Sequence, residues 1–186
     1  MKSNFLIQIV LSLALVLCLT QNSWGQVISE DDLLEPSALL RAELVGQSNE
    51  SYVTQVGNEN EAEVIQTQVG RDGINLARLL QSGEYNLAIV RQEGFENQLA
   101  LIQNGNQNFY ELTLQGGQKN NIAILQQGSE NTIIQQLVNT SRLDIELIQK
   151  GNNNEIIQIL EGVSDKSYKI IQEGNGLRLT IQQSDF

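Results

Sequence analysis

Carboxylates and amides are the side chains of this 186-residue chain that could carry chemistry. Glu59, Glu61 and Glu63 alternate along one short stretch. On a strand that spacing sets three carboxylates on one face, where they could hold Ca²⁺ or move protons at a glycan. The alternative is an outward, solvated face that keeps an edge strand from pairing wrongly. Tyr52, Tyr85, Tyr110 and Tyr168 could contact sugars or simply cover a sheet edge or arc. The chain has no His, and its one Cys is Cys18. Ser-His-Asp and Cys-His catalysis and the usual zinc or haem ligand sets are therefore excluded. No enzymatic activity and no cofactor is expected. Lys and Arg number 11 against 22 Asp and Glu, a balance that argues against nucleic acid as a partner.

Amides are the larger signal. Beyond residue 25 the chain holds 21 Gln and 17 Asn, with one proline, Pro36. They recur in a fixed frame, Gln-x-Gly-x-x-Asn. Full copies are Gln55-x-Gly57-x-x-Asn60, Gln81-x-Gly83-x-x-Asn86, Gln92-x-Gly94-x-x-Asn97 and Gln103-x-Gly105-x-x-Asn108. Gln115-x-Gly117-x-x-Asn120, Gln126-x-Gly128-x-x-Asn131 and Gln149-x-Gly151-x-x-Asn154 complete the seven. Gln68-Val-Gly70 and Gln172-Glu-Gly174 are looser copies. Gln136-Leu-Val138 lacks the glycine, and Leu160-Glu-Gly162 lacks the glutamine. From Gln81 to Gln126 the glutamines step by 11, 11, 12 and 11 residues.

The elements that must position these amides are short. Asn86–Gln92 and Asn97–Gln103 each span seven residues, right for a strand and too few for a stable helix. Period two places Asn86, Ala88, Val90 and Gln92 on one face, and Asn97, Leu99, Leu101 and Gln103 on the same face of the next strand. The glycine marks the turn. Strand starts fall at Asn49, Asn60, Asn75, Asn86, Asn97, Asn108, Asn120, Asn131, Leu143, Asn154, Lys166 and Leu177. Paired as strand–arc–strand, they predict an all-β solenoid of about six rungs of about 22 residues, forming two facing parallel sheets. Inward Asn and Gln are tolerable if each amide donates to one neighbouring rung and accepts from the other, the ladder arrangement of amyloid. Bulges or longer arcs are expected where the spacing breaks, at Val64–Asn75, Glu111–Gln115 and Ser164–Lys166.

Residues 1–25 read as a secretory signal peptide: Lys2, an apolar run from Phe5 to Leu19, then the small-x-small site Ser23-Trp24-Gly25. Without them the chain carries ten basic and 22 acidic residues, a net charge of −12, and has no Cys. Residues 26–48 form an acidic leader, and 49–186 hold the repeat. The ends of the repeat differ in charge. Residues 26–65 have one cation against nine anions, a net of −8, whereas 166–186 have three cations against two anions, a net of +1. Lys166, Lys169 and Arg178 thus mark a mildly basic end able to meet an acidic one head to tail, or to hold an anionic surface.

From Asn49 to about Gln183 the frame resembles the curlin repeat of curli subunits. The resemblance implies an extracellular functional amyloid made of stacked β-solenoids, exported unfolded through an outer-membrane channel and serving adhesion and biofilm matrix. Its partners would be itself, other curli subunits, the secretion channel and the cell surface. Degenerate rungs, aliphatic strands and an off-pattern basic end, Leu177–Gln183, are more similar to the minor, nucleating subunit than to the major one. The strong acidity and the early insertion depart from the pattern. By position alone, the leader corresponds to the family's channel-targeting segment; a plain acidic leader or short helix is the alternative. The rival function is a soluble extracellular solenoid that binds a glycan or a protein.

Overall fold

The computed structural model describes residues 49–69 and 73–185. The signal-peptide and leader readings fall outside these residues. Among the described residues twelve strands follow one another with no helix between them: β1 (Glu50–Asn58), β2 (Glu61–Gln68), β3 (Leu76–Glu84), β4 (Leu87–Phe95), β5 (Gln98–Asn106) and β6 (Phe109–Gln118). Then come β7 (Asn121–Ser129), β8 (Thr132–Val138), β9 (Asp144–Lys150), β10 (Glu155–Glu161), β11 (Ser167–Glu173) and β12 (Arg178–Ser184). Each strand begins one residue after the start that the repeat predicts.

The odd strands form one six-stranded sheet in the order β1-β3-β5-β7-β9-β11, and the even strands form the other. All pairings are parallel, and those of the odd sheet keep register throughout, so Gln55, Gln81, Gln103, Gln126, Gln149 and Gln172 lie in one column. Two strands and their arc make one turn, and six turns make a β-solenoid. A single turn has nothing to pack against; stacking supplies the partner for its backbone as well as for its apolar face.

The inner faces of the two sheets meet in a thin core. Ala88, Val90, Leu99, Leu101, Leu112, Ile124, Ile133, Leu147 and Ile156 are fully buried there. Burial of each large aliphatic contributes about 1.5–3 kcal/mol, which offsets the ordering of a turn that is otherwise mostly backbone. The even strands alternate buried and part-exposed along β4, β8 and β10, as period two requires. The odd strands β5 and β7 do not alternate, because Ala100, Ile102, Ala123 and Leu125 on the outer face are buried as well.

The bulge expected near Glu111–Gln115 is present in β6. Gln92 pairs with Leu114, and the next pair is Gly94 with Gly117, so β6 carries one extra residue. It corrects one ladder residue. Gln115 is exposed, and Leu114 occupies the inward position. Near Ser164 the arcs themselves pair, through parallel bridges Gln118–Ser141 and Ser141–Ser164.

Candidate functional site

The amide frame is the site, and its spacing has a geometric cause. In the odd sheet the Gln81 Nε2 donates to Gln103 Oε1 of the next rung at 2.8 Å, and also to the Asn86 and Glu61 carbonyls. Gln103 repeats the pattern with Gln126, Asn108 and Leu87. Gln126 donates to Gln149, and Gln149 to Gln172. Gln81, Gln103 and Gln126 thus each tie the strand end to the asparagine backbone five residues on, closing their own arcs while they bind the next rung. These amides are buried and satisfied, which avoids the roughly 1–3 kcal/mol that an unpaired one costs.

The asparagines run a second ladder of opposite polarity. Asn86 Oδ1 accepts both the backbone N–H and the Nδ2 of Asn108, and Asn108 Nδ2 also donates to the Gly128 carbonyl at 2.9 Å. Asn60 reaches Gly83, Asn75 and Asn97 reach Gly94 and Gly117, and Asn131 and Asn154 reach Gly151 and Gly174. In this way asparagines that open strands of one sheet grip glycine carbonyls of the other. Asn49 starts the odd ladder by accepting from the Asn75 backbone, and Asn120 ends it by accepting from Leu143 N–H.

The residue just before the asparagine of each full copy has a left-handed backbone and is not glycine: Glu59, Tyr85, Glu96, Gln107, Lys119, Glu130 and Asn153 all have φ between 52° and 58°. No sequence signal marks them, since Glu, Tyr and Lys do not favour this region. Rung-to-rung hydrogen bonds hold them there, such as Gln107 N–H to Glu84 O at 2.9 Å and Glu130 N–H to Asn106 O at 3.0 Å.

The even sheet departs from the frame. Its corresponding column reads Gln66, Gln92, Leu114, Leu137, Leu160, Gln183. Gln92 Oε1 accepts from Gln66, but Gln92 Nε2 is buried with no partner, because the next rung offers the side chain of Leu114. Gln92→Leu removes that orphan donor and should change stability by less than about 1 kcal/mol, the loss at the part-exposed Gln66 offsetting the gain. Denaturant midpoints of the two proteins would check it. A loss above 2 kcal/mol would mean that Gln92 has a partner in solution.

A further buried chain crosses the core. Tyr110 O–H donates to Gln135 Oε1 at 2.7 Å, Gln135 Nε2 donates to Gln158 Oε1 at 2.6 Å, and Gln158 Nε2 donates to the Tyr168 oxygen. Tyr110 is fully buried and Tyr168 packs against the core, so neither covers an arc; Tyr52 and Tyr85 are exposed. Their inward parity in β6 and β11 was the missed clue. Burial pushes the Tyr110 phenol well above its ordinary range and that of Tyr168 up to about 12. A raised tyrosine pKa favours the protonated, folded form. Its contribution is complete below the unfolded value near 10 and is lost as pH rises through the folded value. Stability should therefore fall between about pH 10 and 12, in step with a late phenolate signal. Unfolding that comes to completion with no late phenolate signal would count against this account.

The three carboxylates do not gather on one strand face. Glu61 and Glu63 share the outer face of β2, with Glu63 3.0 Å from Arg91, while Glu59 turns away in the arc. Glu59 thus does not share their strand face. With Asn60, Tyr85, Asn86 and Leu87, Glu59 and Glu61 line a surface depression of about 560 Å³. Among the described residues no three His, Cys, Asp or Glu gather as metal ligands would. At the other end Lys169 lies 3.0 Å from Glu146 and Arg178 3.6 Å from Glu155; Lys166 is exposed. No protein-family model, curated protein or solved structure matches this chain.

Proposed function

We propose that this chain is an exported structural subunit that stacks end to end into curli-type amyloid fibres, acting as the minor, nucleating subunit in adhesion and biofilm matrix. It would work without catalysis or cofactor, and its partners would be its own copies, other curli subunits, the outer-membrane secretion channel and the cell surface.

The observation that carries the reading is where apolar surface remains exposed. Tyr52, Val53, Val56, Ile65 and Val69 lie on the first turn, and Ile171 and Leu177 on the last; Tyr85 is the one large exposed hydrophobic found elsewhere among the described residues. Among the described residues, strands β1 and β2 at one end, and β11 and β12 at the other, have a neighbour on one side only. Open parallel edges with apolar end surfaces favour addition of another copy.

The columns fix how copies would meet. Continuing the register puts Gln172 Nε2 against Gln55 Oε1, Arg178 beside Glu61, and Lys169 over Tyr52, where Arg78 already lies 5.6 Å from the ring. The contact is heterologous and does not close, so it propagates a filament. Its two ends are unequal. The first turn presents Asn49 and Asn60, whereas the last has Lys166 and Leu177 in those columns and so no asparagine oxygen for the next strand. One regular and one irregular end suit a subunit that starts a fibre rather than repeats within it.

Residues 26–186, diluted from denaturant at tens of micromolar, should become thioflavin-positive fibres with a repeat of about 4.8 Å. A monomer that stays thioflavin-negative for days would sink the fibre reading and leave the soluble binding module. In cells that secrete the major subunit, joint change of Lys166, Lys169 and Arg178 to Gln should shift fibre from the cell surface into the medium. Undiminished attachment would remove the nucleating role of that end.

A further inference from the structure

The sequence holds two Asn-Gly pairs, Asn104-Gly105 and Asn175-Gly176. This dipeptide carries its own chemistry. The glycine nitrogen can attack the asparagine side-chain carbonyl, because no Cβ on the glycine hinders the approach. A bond forms between the glycine nitrogen and the asparagine Cγ, and the Cγ–Nδ2 bond breaks. The amide nitrogen takes the proton of the glycine N–H and leaves as ammonia. Water then opens the cyclic succinimide at either carbonyl, giving aspartate or isoaspartate. The reaction needs no oxidant and no second protein. It needs a free glycine N–H and a backbone able to bring that nitrogen to Cγ.

The fold treats the two pairs differently. Asn104 lies in β5, which has β3 on one side and β7 on the other. Gly105 sits so close to the next turn that a Cβ there would come within 1.9 Å of the Gly128 carbonyl oxygen. Bringing its nitrogen to Asn104 Cγ means parting stacked turns, which is close to unfolding the chain. Asn175-Gly176 lies in the arc between β11 and β12 on the last turn, and both residues are exposed. A Cβ on Gly176 would meet no atom within 4 Å. Two hydrogen bonds to Asn152 hold the pair. The Asn152 N–H donates to Asn175 Oδ1 at 2.8 Å, and the Gly176 N–H donates to the Asn152 carbonyl at 2.9 Å. The first holds the carbonyl that would be attacked, and the second occupies the nitrogen that would attack it.

We propose that Asn175-Gly176 is a self-modification site, at which local opening of the last arc lets Asn175 deamidate while the fold protects Asn104. Opening the arc breaks two exposed hydrogen bonds, which lowers the rate about 5- to 150-fold below that of the unfolded chain. Asn104 waits on global unfolding, which lowers its rate about 1000-fold or more. The two products differ in effect. Aspartate keeps an oxygen for the Asn152 N–H and adds a negative charge to an end whose net charge is +1 over residues 166–186. Isoaspartate adds one carbon to the main chain between Gly174 and Leu177. The arc that sets the Leu177 N–H on Asn154 Oδ1 at 3.0 Å then no longer fits. Among the described residues β12 pairs with β10 alone, so losing that arc releases it. Slow chemistry at one exposed arc thereby removes the last strand of the solenoid. The inference rests on the single chain and stands apart from the fibre reading.

The test incubates the intact, unaltered chain at neutral pH, once folded and dilute enough to stay monomeric and once in denaturant. Samples digested after increasing times are scored by mass spectrometry for conversion at each asparagine, with aspartate and isoaspartate separated by chromatography. Each folded-state rate is divided by the rate of the same site in denaturant. The ratio should be at least about fivefold larger for Asn175 than for Asn104. Equal ratios, or a larger one for Asn104, would overturn the proposal. Hydrogen exchange on the isoaspartate fraction then reads the consequence. Amides of β12 should exchange at least about tenfold faster than in the unmodified chain, with those of β5 unchanged. Unchanged exchange in β12 would refute the release of that strand.

Discussion

Gly105→Ala should cost about 2–6 kcal/mol, adding backbone strain of about 1–3 to a steric term of about 1–3. Gly105 has φ +126°, and a Cβ there would lie 1.9 Å from the Gly128 carbonyl oxygen of the next turn. That oxygen also accepts the Asn108 side chain, so displacing it opens the asparagine ladder. The midpoint of urea unfolding should fall with little change in slope. A midpoint equal to that of the unaltered protein would show that the turns do not stack this closely. Gly174→Ala provides the contrast. On the last turn the nearest atom is Leu177 Cδ1 at 3.4 Å, so in the single chain only its φ of +139° resists the change. In a head-to-tail stack the same methyl would meet the Gly57 carbonyl of the next copy. Gly174→Ala should therefore spare most of the fold and block elongation from that end.

Gln103→Leu should cost about 3 kcal/mol, on the basis of about 1–3 for each buried group left unpaired. Leucine fills nearly the same space, so the loss is polar rather than a cavity. Gln126 Oε1 loses its donor, the Leu87 carbonyl loses the Gln103 amide, and the Asn108 carbonyl keeps only the Leu87 N–H at 2.9 Å, whereas Gln81 Nε2 keeps two backbone acceptors. The even sheet shows that leucine itself fits, since Leu114, Leu137 and Leu160 occupy the equivalent column together. What it cannot do is interrupt a run of amides. Gln107→Ala and Gln115→Ala, both at exposed positions, should each stay within about 0.5 kcal/mol of the starting protein. Equal losses from Gln103 and Gln115 would mean that the inward face is assigned wrongly.

The architecture was legible because each level of the chain repeats the same instruction. Seven-residue segments with period two specify strands, glycine and asparagine punctuate them, and near-constant spacing forces one strand to lie on its copy. Asn97, Leu99, Leu101 and Gln103 are all buried, as alternation required. The same reading failed at Gln115. Motif spacing kept Gln115 in frame, but the extra residue of β6 is absorbed between Leu114 and Gly117, which turns Gln115 outward. A bulge can be foreseen from a broken spacing, but not which residue it expels, because that is decided by which side chain packs better inside. With Leu114 inside, the column neighbour Gln92 keeps its Nε2 unpaired.

The twelve strands, the parallel stacking and the inward amides follow from local periodicity and from repetition of the motif. What depends on partners distant in the chain was set by the folded molecule. It gave the two ladders opposite polarities, because each amide finds its acceptor some 20 residues away on another turn. It set Glu, Tyr and Lys in left-handed arcs, because hydrogen bonds between turns outweigh local preference there. It drew Tyr110 and Tyr168 inward to close a polar chain around Gln135 and Gln158.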